Sequence, residues 1–311
     1  MNYKILLIVF SVIFLVSLFF YYSMELYIQL YDTDWSGIKN SETLYVEKNK
    51  IFLIGSSNLY SINATKINEK LSQNNENFIV YNLADMADDP IRRLKSIENL
   101  ISNEPKIILY GIGVWEFQKF KPSNHDYSLT DFLLEPKQFF TYFFESSTNT
   151  SVKEIVANSP KDRMLTFAKY ILRGPDQTFH PFIKFKETPI NNIDEIKRLY
   201  GNPKSNGLDL NTSNSQIIAL KQIIKKLEQK NIKVILFSIP QHAQVLNSLE
   251  PDEITDFENL LLEQSTTNVY FLHDKYSEMN IWREFFHIAV HSDANIYTDD
   301  IYEIISKEIK Q

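Results

Sequence analysis

The chain of 311 residues has no cysteine and only 7 glycines. Without cysteine there are no disulfides, thiol nucleophiles, iron–sulfur clusters or thiolate zinc sites. Average usage would give about 22 glycines in this length. The seven stand at 37, 55, 111, 113, 174, 201 and 207. No G-x-G-x-x-G can be written from them, because Glu116 stands where a third glycine would follow Gly111 and Gly113. No G-x-x-x-x-G-K-[ST] occurs either. A glycine-built nucleotide cradle is therefore not expected, and no cofactor is assigned. A basic stripe is also lacking. The 32 Lys and Arg are outnumbered by 39 Asp and Glu, for a net charge of −7, which argues against nucleic acid as a partner.

What is present is a long apolar run at the start. Residues Ile5 to Tyr22 carry only Ser11 and Ser17 as polar interruptions. At ~1.5 Å per residue a helix over 5–22 spans ~27 Å, about one bilayer core. Lys4 precedes it and Glu25, Asp32 and Asp34 follow. The expectation is a single-pass signal anchor, N-terminus cytoplasmic and main domain outside, with the lipid bilayer as a partner. No small-x-small cleavage site follows, as a cleaved leader would need. Residues 32–50 read as a polar connector, and 51–311 as one domain.

Within that domain short apolar runs alternate with helical patterns. Ile51–Ile54, Phe78–Tyr81, Ile107–Tyr110, Val234–Phe237 and Val269–Leu272 are strand candidates. Runs without alternation suit a parallel sheet covered on both faces. Ile91, Leu94, Ile97 and Ile101 predict one helical face; Ile217, Leu220, Ile224 and Leu227 predict another; Ile301, Ile304 and Ile305 a third. The alternation predicts an open α/β sheet with its ligand at the carboxyl ends of the strands. Residues 117–210 break the alternation and read as a helical insertion. Two readings are open for it: a lid or substrate wall, and a packed decoration.

Two strand-end segments carry chemistry. Gly55-Ser56-Ser57-Asn58 follows the first strand. A serine on a tight strand-to-helix turn is exposed beside free backbone N–H groups, as an acyl-transfer nucleophile requires. Serine is also a good helix N-cap, so a plain helix start fits as well. Near the C-terminus, Glu284 precedes His287 by three residues. A carboxylate so placed can accept the imidazole Nδ1–H and support the imidazolium that forms in the reaction.

Together these pieces resemble the SGNH, or GDSL-type, hydrolases. Gly55-Ser56-Ser57 matches the family's G-D-S block, with Ser56 in the Asp place and Ser57 as nucleophile. Glu284-x-x-His287 matches its D-x-x-H block, with Glu for Asp. Asn82-Leu83-Ala84-Asp85-Met86-Ala87-Asp88 keeps the spacing of the second block, with Ala87 for Gly. The third block, G-x-N-D, meets Gly111-Ile112-Gly113-Val114 and has no Asn. The resemblance implies a three-layer, flavodoxin-like α/β fold with strand order 2-1-3-4-5. It implies catalysis by Ser57, His287 and Glu284, and oxyanion donors at Ser57, Ala87 and Gly113.

The G-S-S form and the anchor are similar to the membrane-tethered branch that includes the D-alanyl-transfer protein of teichoic acid synthesis and the alginate acetylation proteins. That implies an esterase or O-acyltransferase on an acylated surface polysaccharide or polymer, beside a membrane-bound O-acyltransferase. The missing Asn keeps a second reading open: a catalytically impaired scaffold that binds a surface glycan or such an acyltransferase. A third is a metal site from Glu284, His287 and His291 on one helix face, with His242 added; the expectation is that no metal is bound. Asp85, Asp88 and Asp89 read as an acidic loop at the site rim, with two readings open: solvated charges, and contacts to a substrate hydroxyl. His125, His180 and His273 have no partner pattern.

Overall fold

The computed structural model describes residues 3, 10–12, 14–17, 19–20, 23, 48–85, 88–119, 187–203, 205 and 207–310. The chain divides into two units. One comprises residues 1–39 and 122–179, the other 40–121 and 180–311. Of the first unit, the described residues within 3–23 are helical and exposed. Phe10, Phe14, Leu15 and Phe19 each expose more than half of their surface. Among the described residues, no helix is long and apolar enough to cross a membrane. Most of the connector at 32–50, most of the insertion, Ala87, His125 and His180 lie outside the described residues.

Among its described residues the second unit holds five strands: β1 Asn49–Ile54, β2 Phe78–Asn82, β3 Ile107–Ile112, β4 Lys233–Ser238 and β5 Val269–Tyr270. All pair in parallel, in the order β2-β1-β3-β4-β5. This is an α/β fold with the expected order. The central strands are buried on both faces, which is why their sequences run apolar without alternation. On one face Ile51, Leu53, Leu109 and Ile235 share a core with helices Ala64–Gln73 and Asn295–Glu308. Successive strand residues point to opposite faces, so Phe52, Ile54, Ile108 and Leu236, also buried, face the other side. There helix Ser215–Glu228 contacts β4, helix Pro90–Lys95 and helix Pro251–Gln264.

Three expectations change. The single helical face over 91–101 is two short helices, Pro90–Lys95 and Ile97–Ser102. Ser96 lies between them at φ −92° and ψ 5°. β5 stops at Tyr270 instead of Leu272, because the N–H groups of Leu272 and His273 turn to Ser238 Oγ at 2.8 and 3.1 Å. Residues 284–291 are not helical. They belong to a loop closed by an antiparallel bridge between Trp282 and Ile288. The ends of the insertion are zipped together, with Lys119 N–H on Gly207 O at 2.9 Å and Asp209 N–H on Phe117 O at 2.7 Å.

Candidate active site

The site begins at the carboxyl end of β1. Gly55 has φ +142°, and a Cβ there would stand 2.6 Å from Gly111 O. Only glycine lets the chain turn at this point so close to β3. Beyond it Asp85 N–H donates to Gly55 O at 2.9 Å, and Ser56 bridges Asp85. Ser57 opens the 3-10 turn Ser57–Ser61. Leu59, fully buried, lies in a notch that the absent side chains of Gly55 and Gly111 leave open. Asn82, also fully buried, donates from Nδ2 to Leu59 O at 2.9 Å and to Ile62 O at 3.1 Å. The turn is thus anchored from below by an apolar side chain and from β2 by an amide.

The other half of the site is the loop closed by Trp282 and Ile288. Arg283 N–H donates to His287 O at 2.9 Å and Ala289 N–H to Ile281 O at 2.9 Å. Phe285 buries its ring inward, while Glu284 and His287 keep side-chain exposures of 17% and 33%. Glu284 Oε1 bonds His287 Nδ1, and Glu284 Oε2 accepts the Phe286 N–H at 3.0 Å. His287 Nε2 lies 2.8 Å from Ser57 Oγ. A carboxylate accepts only, so His287 carries its proton on Nδ1 and presents the Nε2 lone pair to the Ser57 hydroxyl. Ser57, His287 and Glu284 therefore form one hydrogen-bonded chain across a separation of 230 residues.

The donors for an oxyanion are less complete. Ser57 N–H sits in the first turn, where a helix supplies no internal acceptor. Gly113 departs from expectation. Its N–H donates to Glu116 Oε1 at 3.1 Å and is engaged within the 3-10 turn Val114–Phe117. Burial pushes the Glu116 carboxyl well above the usual carboxylate range, against the pull of that N–H.

A cleft of about 390 Å³ opens beside Ser57, with Asp88, Asp89, Gly113, Trp115 and Gln241 in its walls. The solvated reading of the acidic loop is corrected at Asp88, while Asp89 stays partly exposed. Asp88 is buried and bonded to Arg93, whose Nε donates to Oδ2 at 2.8 Å. Burial raises its carboxyl to about 6 in spite of Arg93. Asp89 accepts the Arg92 N–H at 2.9 Å and caps helix Pro90–Lys95. Trp115 stacks edge-on to Phe286 with ring centres 4.7 Å apart, and its Nε1–H donates to Gln241 Oε1 at 2.9 Å.

The metal reading does not survive the geometry. Glu284 and His287 sit in a loop and bond each other, and His291 Nδ1 accepts the Asp293 N–H at 3.3 Å. His242 caps helix Ala243–Leu246, its Nδ1 accepting the Gln244 N–H at 3.0 Å, and its ring packs on Trp282 and Phe285. Burial holds the His242 imidazole below its usual range. Among the described residues no three His, Asp or Glu gather as a metal site. His273 is buried between Ser238 and Glu258.

The structure adds Asn58, Asn82, Trp115 and Gln241 to the residues that shape the site. Asn82 stands in the quoted second block and Asn58 directly follows the nucleophile, which were the available signals.

No protein-family model matches the chain, and no curated protein matches it. Among solved structures it is similar to the psychrotrophic esterase EstA from Pseudoalteromonas sp., inhibited by monoethylphosphonate, at 11% identity over 85% of this chain and 100% of that one, with TM-score 0.43. It is similar to TesA at 9% identity over 82% and 97%, with TM-score 0.40. A GDSL-like lipase from Bacteroides thetaiotaomicron VPI-5482 follows at 8% identity over 89% and 98%, with TM-score 0.39.

Proposed function

We propose that the chain is a serine esterase or O-acyltransferase of the SGNH type. The observation that carries this is the chain Ser57 Oγ, His287 and Glu284, with 2.8 Å between Ser57 Oγ and Nε2. Ser57 Oγ attacks the acyl carbon as its proton passes to His287 Nε2. Glu284 holds the imidazole in the required tautomer and supports its positive form. Ser57 N–H stabilises the oxyanion, with the N–H of Ala87 as its proposed companion. The intermediate collapses, the alcohol leaves with the proton from His287, and Ser57 keeps the acyl group. Water completes hydrolysis; a second hydroxyl completes transfer.

The proposed substrate is an acylated, hydroxyl-rich surface polymer. The cleft supports this with the ring of Trp115 and the amides of Gln216 and Gln241 in its walls. Anchoring through residues 5–22, with the main domain outside and beside a membrane-bound O-acyltransferase, is part of the same proposal. Its support is the apolar run and the exposure of Phe10, Phe14 and Phe19.

The test is turnover of p-nitrophenyl acetate together with fluorophosphonate labelling. Wild type should do both, and Ser57→Ala and His287→Ala should do neither. A wild type that neither labels nor turns over refutes the reading. A second reading, a scaffold without turnover, is favoured by Gly113, which has no side chain and whose N–H is engaged by Glu116. It requires Ser57→Ala to leave function in cells unchanged.

A further inference from the structure

The histidine loop and the nucleophile turn meet at a second place besides the Ser57–His287 bond. Asn58 Nδ2 donates to Phe286 O, and Ser56 Oγ donates to Asn58 Oδ1 at 3.0 Å. The polarity of this relay is forced. A carbonyl only accepts, so Asn58 must present its NH2 to Phe286 and its oxygen to Ser56. Ser56 must then be a donor. Phe286 is the residue before His287, and its groups all point to the site. Its N–H goes to Glu284, its carbonyl to Asn58 and its ring to Trp115.

The Ser57–His287 bond cannot itself hold the loop through a reaction, because His287 exchanges its partner when the proton moves. A tether that takes no part in proton transfer is needed to keep Nε2 in reach. We infer that Ser56 and Asn58 form a positioning clamp that fixes the Phe286–His287 peptide, and with it the imidazole, against the nucleophile turn. The role in catalysis rests on the esterase reading; the clamp itself does not.

The clamp explains why a serine stands where the resembling family carries Asp. An aspartate at 56 only accepts. Asn58 would have to flip its amide to meet it, and would then set Oδ1 against the Phe286 carbonyl. Ser56 and Asn58 are a matched pair, and neither residue type works with the opposite polarity at the other.

The experiment uses the full chain in detergent with Asn58→Asp, Ser56→Val and Ser56→Thr. Asn58→Asp has nearly the same shape and loses the N–H donor. Ser56→Thr keeps the hydroxyl, and Ser56→Val replaces it with a methyl. Both β-branched side chains suit the extended backbone of Ser56 at φ −73° and ψ 178°. The first readout is the rate and end point of fluorophosphonate labelling. Misplacement by about 1 Å costs up to about 10²-fold. Asn58→Asp should therefore label about 10- to 100-fold more slowly, still reaching one label per chain. Ser56→Val should fall between, and Ser56→Thr should stay within about twofold of wild type.

Labelling of Asn58→Asp at the wild-type rate overturns the inference. So does a lower end point and melting temperature with an unchanged rate per labelled site, which marks a merely structural role. The second readout needs no activity: the downfield proton resonance of His287 Nδ1–H, assigned by its loss in His287→Gln. Loss or broadening in Asn58→Asp, with retention in Ser56→Thr, supports the clamp; an unchanged resonance in Asn58→Asp overturns it. If wild type does not label, the esterase reading falls while this resonance still decides the clamp.

Discussion

On the proposed esterase reading, Gly113→Asn should raise the rate of ester turnover. The residue sits at φ −101° and ψ 154°, an extended backbone that any residue adopts. A Cβ there would meet Glu116 Oε1 at 3.7 Å, Ile239 Cδ1 at 3.8 Å and Gln241 Nε2 at 3.9 Å. All three are ordinary van der Waals distances, so a Cβ enters without displacing anything. Removing glycine from such a position also narrows the unfolded ensemble, worth about 0.4–1 kcal/mol of stability. The amide has two N–H groups. One bonded to Glu116 Oε1 leaves the other for the cleft. A single oxyanion donor is worth about 10²–10³ in kcat, or about 3–4 kcal/mol. The Asn variant should therefore raise kcat for p-nitrophenyl acetate by at least about tenfold at similar KM. Gly113→Ala is the control, with the same Cβ and backbone and no donor. It should share any gain in melting temperature and show no gain in rate. Equal rates per labelled site for the Asn and Ala variants would refute the idea that this chain lacks only a side-chain donor.

Other outcomes follow from the same geometry. Gly55→Ala forces a Cβ to 2.6 Å from Gly111 O at φ +142°, and should give little folded protein on expression. Leu59→Ala empties the notch beneath Ser57 and should lower unfolding free energy in urea by about 2–5 kcal/mol. Asp88→Ala leaves the buried Arg93 guanidinium without its carboxylate and should cost about 3–5 kcal/mol, with Arg93→Met/Asp88→Leu recovering most of it. Asp88 also sets a pH dependence. Its carboxyl rises from 3.8 to about 6 on folding, so the folded chain holds this proton more tightly. The stability it contributes is full below about pH 4 and is lost as pH rises from about 4 to about 6. Denaturant melts across that window should show the slope in wild type and a flatter curve in Asp88→Asn.

The sheet was legible because its strands are buried on both faces. Ile51–Ile54 and Ile107–Ile112 have no exposed position that would call for a polar residue. The edge strand β5 is shorter than its apolar run suggests. Its apolar run continues to Leu272, but Ser238, far off in sequence, captures the next two N–H groups. Periodicity could not reveal the break at Ser96, since Ile91, Leu94, Ile97 and Ile101 keep helical spacing through it. At the site, the three residues of the hydrogen-bonded chain stood in short recognisable blocks. Their supports did not. Asn58 reaches 228 residues to Phe286, and Trp115 reaches 126 to Gln241. Only the fold makes such pairs neighbours. Asp88 looked solvated because its loop is acidic, and Arg93, one turn into the next helix, is what draws it inside.

The 230 residues between Ser57 and His287 also have a meaning in time. A ribosome adding roughly 5–20 residues per second makes the histidine roughly 12–46 s after the serine. β1 is synthesised first among the strands, yet it lies inside the sheet, and its neighbour β3 needs β4 to complete the other side. The nascent chain therefore carries Ser57, the proposed nucleophile, long before it carries His287, its proposed base. Every chain that ends before residue 284, by early termination or by cleavage, lacks both Glu284 and His287. On the proposed esterase reading, a label on Ser57 would therefore count only chains synthesised past His287 and folded.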